Sequence, residues 1–200
     1  MATYCRINLT LAAALAMAAS SPAWAEGDTA SAPVAQQSSM VNTASSWWDG
    51  LRDTARTTWR SEQYELYVPL HTWHNRSAYT REKIDSYNEN PWGLGAGKYR
   101  FDDNGNWHAW YAMVFADSHH KMEPIAGYGY QKIWRPGGDW RLGLGFTAGV
   151  TARQDYSYAP IPVILPLVSI EYGRVALQST YVPGGKGNGN VLFTWLRWQF

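Results

Sequence analysis

The chain has 200 residues and a formal net charge of +1, from 17 basic and 16 acidic side chains. That balance excludes the basic surface that nucleic-acid binding needs. The single cysteine, Cys5, leaves no disulfide, thiolate catalyst or zinc–thiolate site for the rest of the chain.

The first residues read as an export signal. Arg6 supplies a positive start, Ile7 to Ala19 is mostly apolar, and Ala23-Trp24-Ala25 has the small-x-small form of a cleavage site. Cleavage is expected after Ala25, making 1–25 the signal peptide. The apolar run is too short to be a comfortable membrane anchor. Residues 26–200 are enough for one domain. Without Arg6, 16 basic residues face 16 acidic ones. No long apolar helix follows, but the 12 Trp and 13 Tyr are rings that favour membrane interfaces.

Residues 26–44 are Ala, Ser, Gln and Thr with little apolar bulk, and are expected to be a disordered leader. The segment 45–61 is expected to be an amphipathic helix. Ser46-Trp47-Trp48-Asp49 resembles a capping box. Trp47, Trp48, Leu51, Ala55 and Trp59 form one stripe, with Asp49, Arg52, Asp53, Arg56 and Arg60 opposite. Trp beside Arg suits a helix lying at a bilayer surface. The competing reading is a helix packed on a soluble core.

Residues 62–200 read as strands and turns. The strands are 64–74, 92–100, 107–116, 125–134, 140–151, 163–172, 175–182 and 191–200. Eight is an even number, as in the smallest outer-membrane barrels. Turn signals lie at 102–106, 136–139, Gly173 and 184–190, and the polar stretch 77–90 is expected to be an exposed loop.

Strand side chains alternate between faces. Gly93, Gly95 and Gly97 therefore share one face, Gly127 and Gly129 another, and Gly143, Gly145 and Gly149 a third with Thr147. Opposite them stand Trp92, Leu94, Tyr128, Tyr130, Leu142, Leu144, Phe146 and Val150. Small barrels fill their interiors with side chains. Bare faces turned inward would leave a space, and bulky faces turned outward would leave a greasy wall. The expected fold class is all-β: an eight-stranded antiparallel transmembrane β-barrel with an N-terminal amphipathic α-helix. The last strand alternates cleanly and ends in Phe200, like the assembly signal of bacterial outer-membrane proteins. A soluble lipocalin-like barrel is the alternative.

Proline cannot donate to a β-ladder. Pro69 and Pro91 lie near the first two strands, and Pro166 and Pro183 lie in or beside the sixth and seventh. Such pairs on neighbouring strands would open the wall locally and could admit a lipid tail sideways. Strand ends and edges are the plainer explanation.

The histidines make no natural metal site, because His71 and His74, like His119 and His120, point to opposite sides of a regular strand. Asp117-Ser118 follows an apolar strand and should sit at a rim, although Asp-Ser is a common turn dipeptide.

The segments YELYVPLHTWHNRSAY, YNENPWGLGAG, NWHAWYAMVFADS, EPIAGYGY, LGLGFTAGVTAR, PVILPL and NGNVLFTWLRWQF resemble the lipid A palmitoyltransferase (PagP) family of Gram-negative outer membranes, in order and from about Trp47 to Phe200. The resemblance implies an enzyme that moves palmitate from the sn-1 position of a phospholipid donor to a hydroxyacyl chain of a lipid A acceptor. It implies His74, Asp117 and Ser118 as catalytic residues in loops facing the cell exterior. It implies Gly129 as the floor that measures the acyl chain, and Pro69, Pro91, Pro166 and Pro183 as the borders of two lateral lipid entrances. No cofactor or metal is expected, and a monomer or homodimer is. The short Arg-Pro-Gly-Gly-Asp turn and the pair His119-His120 depart from the family pattern at the rim.

Acyl transfer needs a base and stabilisation of an oxyanion. His74 is the expected base, Asp117 would orient it or tune it, and Ser118 is a nucleophile or polar stabiliser. Adjacent Asp and Ser cannot easily flank one His, so direct transfer without a long-lived acyl-enzyme is expected. Two other readings remain: a non-enzymatic structural or adhesin barrel, and a lipid A deacylase.

Overall fold

The computed structural model describes residues 35–185 and 189–200. The expected signal 1–25 and the leader as far as residue 34 lie outside the described residues. Met1–Val41 and Asn42–Phe200 are separate compact units, and of the first only the helical residues from Ala35 are described.

Helix α1 runs Ala35–Trp59. It begins inside the stretch expected to lack structure, so Ser46 lies in the helix interior and not at its start. Between Pro33 and Gly50 the chain has no helix breaker, and Ala, Gln and Met propagate a helix well. The tryptophan stripe is not packed on a core: Trp47, Trp48 and Leu51 are exposed and Trp59 is 63% exposed. Among the described residues the helix is fastened near its C-terminal end. Thr58 is fully buried, the Arg100 Nε donates to its Oγ1 at 3.1 Å, and the Trp110 indole donates to the Ala55 carbonyl at 2.9 Å. Among the described residues no helix is long and apolar enough to cross a membrane, which leaves strands free to do so.

The barrel strands are β1 Gln63–His74, β2 Gly93–Phe101, β3 Trp107–Ala116, β4 Met122–Gly137, β5 Trp140–Ala152, β6 Pro160–Tyr172, β7 Val175–Val182 and β8 Val191–Gln199. Each pairs antiparallel with the next, and β1 pairs with β8 to close the wall. All the expected strands are present, and β3 and β7 have the expected limits. The β2–β3, β4–β5 and β6–β7 connections, none over five residues, lie at one end, the short-turn end. The β1–β2, β5–β6 and β7–β8 connections are longer and lie at the other, the long-loop end, together with the five-residue β3–β4 turn. The β1–β2 segment carries the short helix α2 Arg81–Asp85.

The outer wall is apolar, with Leu94, Val114, Leu142, Leu144, Val150, Ile164, Val168 and Leu177 exposed between rings at the ends. Trp134, Trp140, Tyr172, Trp198, Phe200 and Tyr64 ring the short-turn end; Trp73 and Trp92 stand at the other. That banding belongs to barrels in lipid. The glycine faces point inward, as their alternation requires. Part of their space is already used, because the Tyr67 ring lies against Gly97 and the Trp107 indole against Gly129. Towards the long-loop end, Tyr111 and Ile125 face inward on strands paired on both sides, so their partial exposure is to the interior.

Two ladders stop short. β1 pairs with β2 only from Gln63↔Tyr99 to Tyr67↔Gly95, and β6 with β7 only from Leu167↔Thr180 to Tyr172↔Val175. Beyond those points the ladders leave the wall unpaired on two sides, although higher up Thr72 of β1 bonds to the Glu89 carbonyl. Pro69 and Pro91 border the first opening, and Pro166 and Pro183 the second. The Pro166 carbonyl faces β7, where it accepts from Thr180 Oγ1 at 2.7 Å. Its missing donor therefore falls on the open side, while the register with β5 continues unbroken to Pro160.

The short-turn end is shut by buried charge. Arg197, Glu65 and Glu171 are all fully buried. Arg197 Nη2 donates to Glu171 Oε1 at 2.7 Å, its Nε lies 3.6 Å from Glu65 Oε2, and its guanidinium covers the Trp107 ring at 4.4 Å. Arg141 donates to Glu171 at 2.8 Å and to the Gly173 carbonyl at 2.7 Å. Tyr67 hydroxyl and Trp107 indole both donate to Glu65. Gln131, Gln178, Ser169 and Trp195 extend the network. Buried ions survive only when paired and hydrogen-bonded in this way.

Candidate active site

His74 is the last residue of β1, and its inward aim depends on a bulge. Glu65, Tyr67 and Pro69 face inward on odd numbers, while Thr72 and His74 face inward on even ones. The register against β8 slips between Pro69 and His71, leaving Leu70 and His71 both outside. One extra residue exchanges the faces of everything beyond it. Without the bulge His74 would point at lipid.

The His74 ring is 1% exposed. Its Nε2 lies 2.9 Å from Ser118 Oγ, and its Nδ1 lies 3.1 Å from Glu89 Oε1. The Tyr87 ring stacks on it at 4.6 Å, and Tyr79 meets it edge-on at 5.6 Å. Glu89 is tied in three further ways. Its Oε1 accepts the His74 backbone N–H at 3.2 Å, its Oε2 accepts from Arg76 Nη2 at 2.7 Å, and its own carbonyl accepts from the Thr72 N–H at 2.9 Å. Burial alone would raise the Glu89 carboxyl, but the hydrogen bonds from Arg76 and His74 overcome it and hold the group at about 2. The segment 88–89 thus runs along β1 where β2 has peeled away. It also reaches the β3–β4 connection, since the Asn88 N–H donates to the Ser118 carbonyl at 2.9 Å.

Asp117 and Ser118 begin the tight β3–β4 turn. Asp117 Oδ1 accepts the backbone N–H of His119 and of Lys121, both at 2.8 Å, and His120 takes a left-handed conformation with φ of 61°. This is an Asx turn, whose carboxylate shapes the backbone that presents Ser118. Among the described contacts, Asp117 makes none with His74; the carboxylate on that ring belongs to Glu89. Sequence reasoning missed Glu89 because its loop was read only as polar. The available signal was the YNENPWG motif, in which it is the single carboxylate.

Beyond the turn, Asp117, His119 and Asp155 bring possible ligand atoms within 4.8 Å of one another. Arg153 already supplies a cation there, with Nη2 at 4.0 Å from Asp117 and 3.7 Å from Asp155, and Nε at 3.2 Å from Glu123. Beside Glu89 opens a rim cleft of about 630 Å³, lined by Arg76, Tyr79, Arg81, Ile84, Tyr87 and Asn90 among others. Gly129 lies below, on the inner face of β4. A Cβ built there would stand 2.7 Å from Trp107 Cζ3 and 2.9 Å from Cη2. The structure thus brings His74 and Ser118 into contact, sets Asp117 beside them in the turn, and puts Gly129, Pro69 and Pro166 lower in the wall, with Pro91 just before β2 and Pro183 just after β7.

A closed barrel with an apolar exterior and a glycine-rich inner face, carrying a hydroxyl, an imidazole and a carboxylate in line at its loop end, has the build of a membrane-barrel acyl-transfer enzyme. Comparison with known proteins makes this particular. Residues 54–197 match the family described as antimicrobial peptide resistance and lipid A acylation protein PagP, and the chain belongs to it. Similar proteins named lipid A acyltransferase PagP occur in Laribacter hongkongensis (68% identical over 153 residues, 76% of this chain and 74% of the relative), Salmonella typhi (58% over 157, 77% and 83%) and Yersinia enterocolitica (57% over 155, 76% and 76%).

Proposed function

We propose that this protein is a lipid A acyltransferase of the Gram-negative outer membrane, exported with cleavage after Ala25. Palmitate passes from the sn-1 position of a glycerophospholipid to a hydroxyacyl chain of lipid A. The observation that carries the reading is the 2.9 Å contact of His74 Nε2 with Ser118 Oγ above a glycine-rich inner face. A base beside a hydroxyl is what acyl transfer needs, and the bare interior gives the acyl chain a place to lie.

In this scheme lipids reach the site sideways. The openings bordered by Pro69 and Pro91, and by Pro166 and Pro183, would lead from the apolar wall to the interior where the two ladders stop. The donor's chain descends until Trp107, seated against Gly129, stops it. His74 Nε2 takes the proton of the attacking hydroxyl. The new ester forms, the donor's ester C–O bond breaks, and the same proton goes to the leaving glycerol oxygen. Asp117 holds the turn that sets Ser118 against His74. The Trp stripe of α1 lies in the bilayer interface.

Mass spectrometry of lipid A from cells expressing the chain tests the reading. A gain of one palmitate is expected. No change would favour a structural barrel, and loss of an acyl chain would favour a deacylase; either overturns the proposal.

A further inference from the structure

We propose that Glu89 is the positioning carboxylate of the site, fixing the tautomer of His74 so that Nε2 is free to accept a proton; this rests on the acyl-transfer reading above. The family resemblance implies Asp117 as the carboxylate, but Asp117 Oδ1 is engaged by the N–H groups of His119 and Lys121, and Oδ2 faces Arg153. Glu89 is the group at the far side of the imidazole, with Oε1 3.1 Å from Nδ1 while Nε2 stands 2.9 Å from Ser118.

The hydrogen bonds around Glu89 determine which proton goes where. Arg76 donates to Oε2 and the His74 backbone N–H donates to Oε1. Both oxygens are therefore acceptors, and the carboxylate stays ionised, with its carboxyl held at about 2. An ionised carboxylate can only accept, so Nδ1 must carry a hydrogen. In the neutral ring that leaves the lone pair on Nε2, facing the Ser118 hydroxyl. When Nε2 takes a proton during transfer, the resulting imidazolium lies against the Glu89 charge and is stabilised by it. Arg76 has an indirect part: it holds Glu89 charged and keeps it from rotating away. The chain hydroxyl, imidazole, carboxylate is complete without a contact from Asp117. The adjacency of Asp117 and Ser118 is then no obstacle, because one shapes the turn and the other meets the ring.

The substitution Glu89→Gln separates this role from simple packing. The amide has nearly the same shape but one oxygen instead of two. Arg76 claims that oxygen, which turns the NH2 group towards Nδ1 and favours the opposite tautomer, with the hydrogen on Nε2. The expected loss in kcat is roughly 100- to 10,000-fold, the range a correctly poised base contributes. The signature is spectroscopic. In 15N-histidine-labelled, folded protein in detergent, the wild-type His74 should carry its hydrogen on Nδ1, and E89Q should carry it on Nε2. Asp117→Asn should leave the wild-type tautomer in place. Retained kcat in E89Q, an unchanged tautomer in E89Q, or a tautomer switched by D117N instead would each overturn the proposal. Should E89Q fail to fold, the wild-type spectrum decides alone: hydrogen on Nε2 rules Glu89 out. A wild-type protein that adds no palmitate to lipid A while showing the Nδ1–H form would sink the acyl-transfer reading and leave the Glu89 contact standing.

Discussion

The two ends of the barrel hold the same chemical types in opposite circumstances. At the short-turn end Arg197, Glu65, Glu171 and Arg141 project from strands, and the first three are fully buried. At the long-loop end Arg76, Glu89 and Ser118 project from connecting segments, and only His74 comes from a strand. Strand positions are fixed by ladders on both sides, so the lower charges brace the wall and close the interior. Loop positions are fixed by a handful of hydrogen bonds, which in the proposed mechanism lets the upper groups meet a substrate and exchange a proton. A buried ion pair serves stability when the scaffold cannot move, and chemistry when one partner remains approachable.

The sharpest way to break this contrast is to damage one end and examine the other. His74→Ala should abolish palmitate addition, a loss of at least about 100-fold for a missing base, while the barrel keeps its heat-resistant fold on gels. Wild-type activity in that variant would remove His74 from the chemistry. Ser118→Ala and Asp117→Ala should behave alike in direction.

At the other end, Arg197→Met leaves Glu65 without its cation and Glu171 with Arg141 alone. Removing one partner from a buried pair costs about 3–5 kcal/mol. The variant should unfold at a clearly lower urea concentration, yet transfer palmitate under conditions where it stays folded. Unchanged stability would mean that the charges at this end do not brace the wall.

Between the ends, Gly129→Met should shorten the preferred acyl chain. Burial of one methylene is worth only about 0.8 kcal/mol, a few-fold per carbon. Overpacking costs typically 1–3 kcal/mol, so a rigid floor discriminates better against longer chains. The new side chain must first displace Trp107, whose ring lies within 2.9 Å of the Cβ position. Competition among donors of graded length, with purified enzyme in detergent, measures the shift; an unchanged sixteen-carbon preference would show that the floor lies elsewhere.

Smaller still is the effect of deleting Phe200. Its N–H donates to the Tyr64 carbonyl at 3.1 Å and its ring stacks on Tyr64 at 6.4 Å, so stability should fall by about 1 kcal/mol. Insertion into the outer membrane should slow more visibly than that. Normal insertion kinetics would deny the terminal ring an assembly role.

Acid offers the mildest test of the upper end. Glu89 lies at about 2 in the folded protein against 4.5 ordinarily. Its contribution is complete above pH 4.5 and is lost as the pH falls towards 2. Hydrogen exchange at Thr72 and Asn88, whose N–H groups bind this loop and its Ser118 neighbour, should rise across that window. Protection that stays flat would mean the loop does not depend on the Glu89 charge.

The strands were legible in the sequence because a wall with lipid outside and a lumen inside imposes period two on every residue. Glycine against bulk in 92–97, 127–130 and 142–150 therefore declared both the strands and their faces. Turns at 102–106 and 136–139 were legible because Asn, Asp, Gly and Pro mark them chemically. Other features were hidden for physical reasons. The start of α1 at Ala35 follows from the absence of breakers in a polar stretch, a weak signal beside composition. The placement of Glu89 on His74 joins a loop to a strand 15 positions away, and no local periodicity reports such a contact.

By itself, then, the sequence determined an eight-stranded barrel and which face of each strand is apolar. Those properties are local, written in alternation and in side-chain type. Only the tertiary structure decided that His74 faces inward, that Glu89 rather than Asp117 meets its ring, that two ladders stop at Tyr67 and Leu167, and that Arg197 closes the lower end. Each of these depends on register between distant strands, and a single extra residue at the Pro69–His71 bulge, visible only against β8, is enough to turn a side chain from lipid to active site.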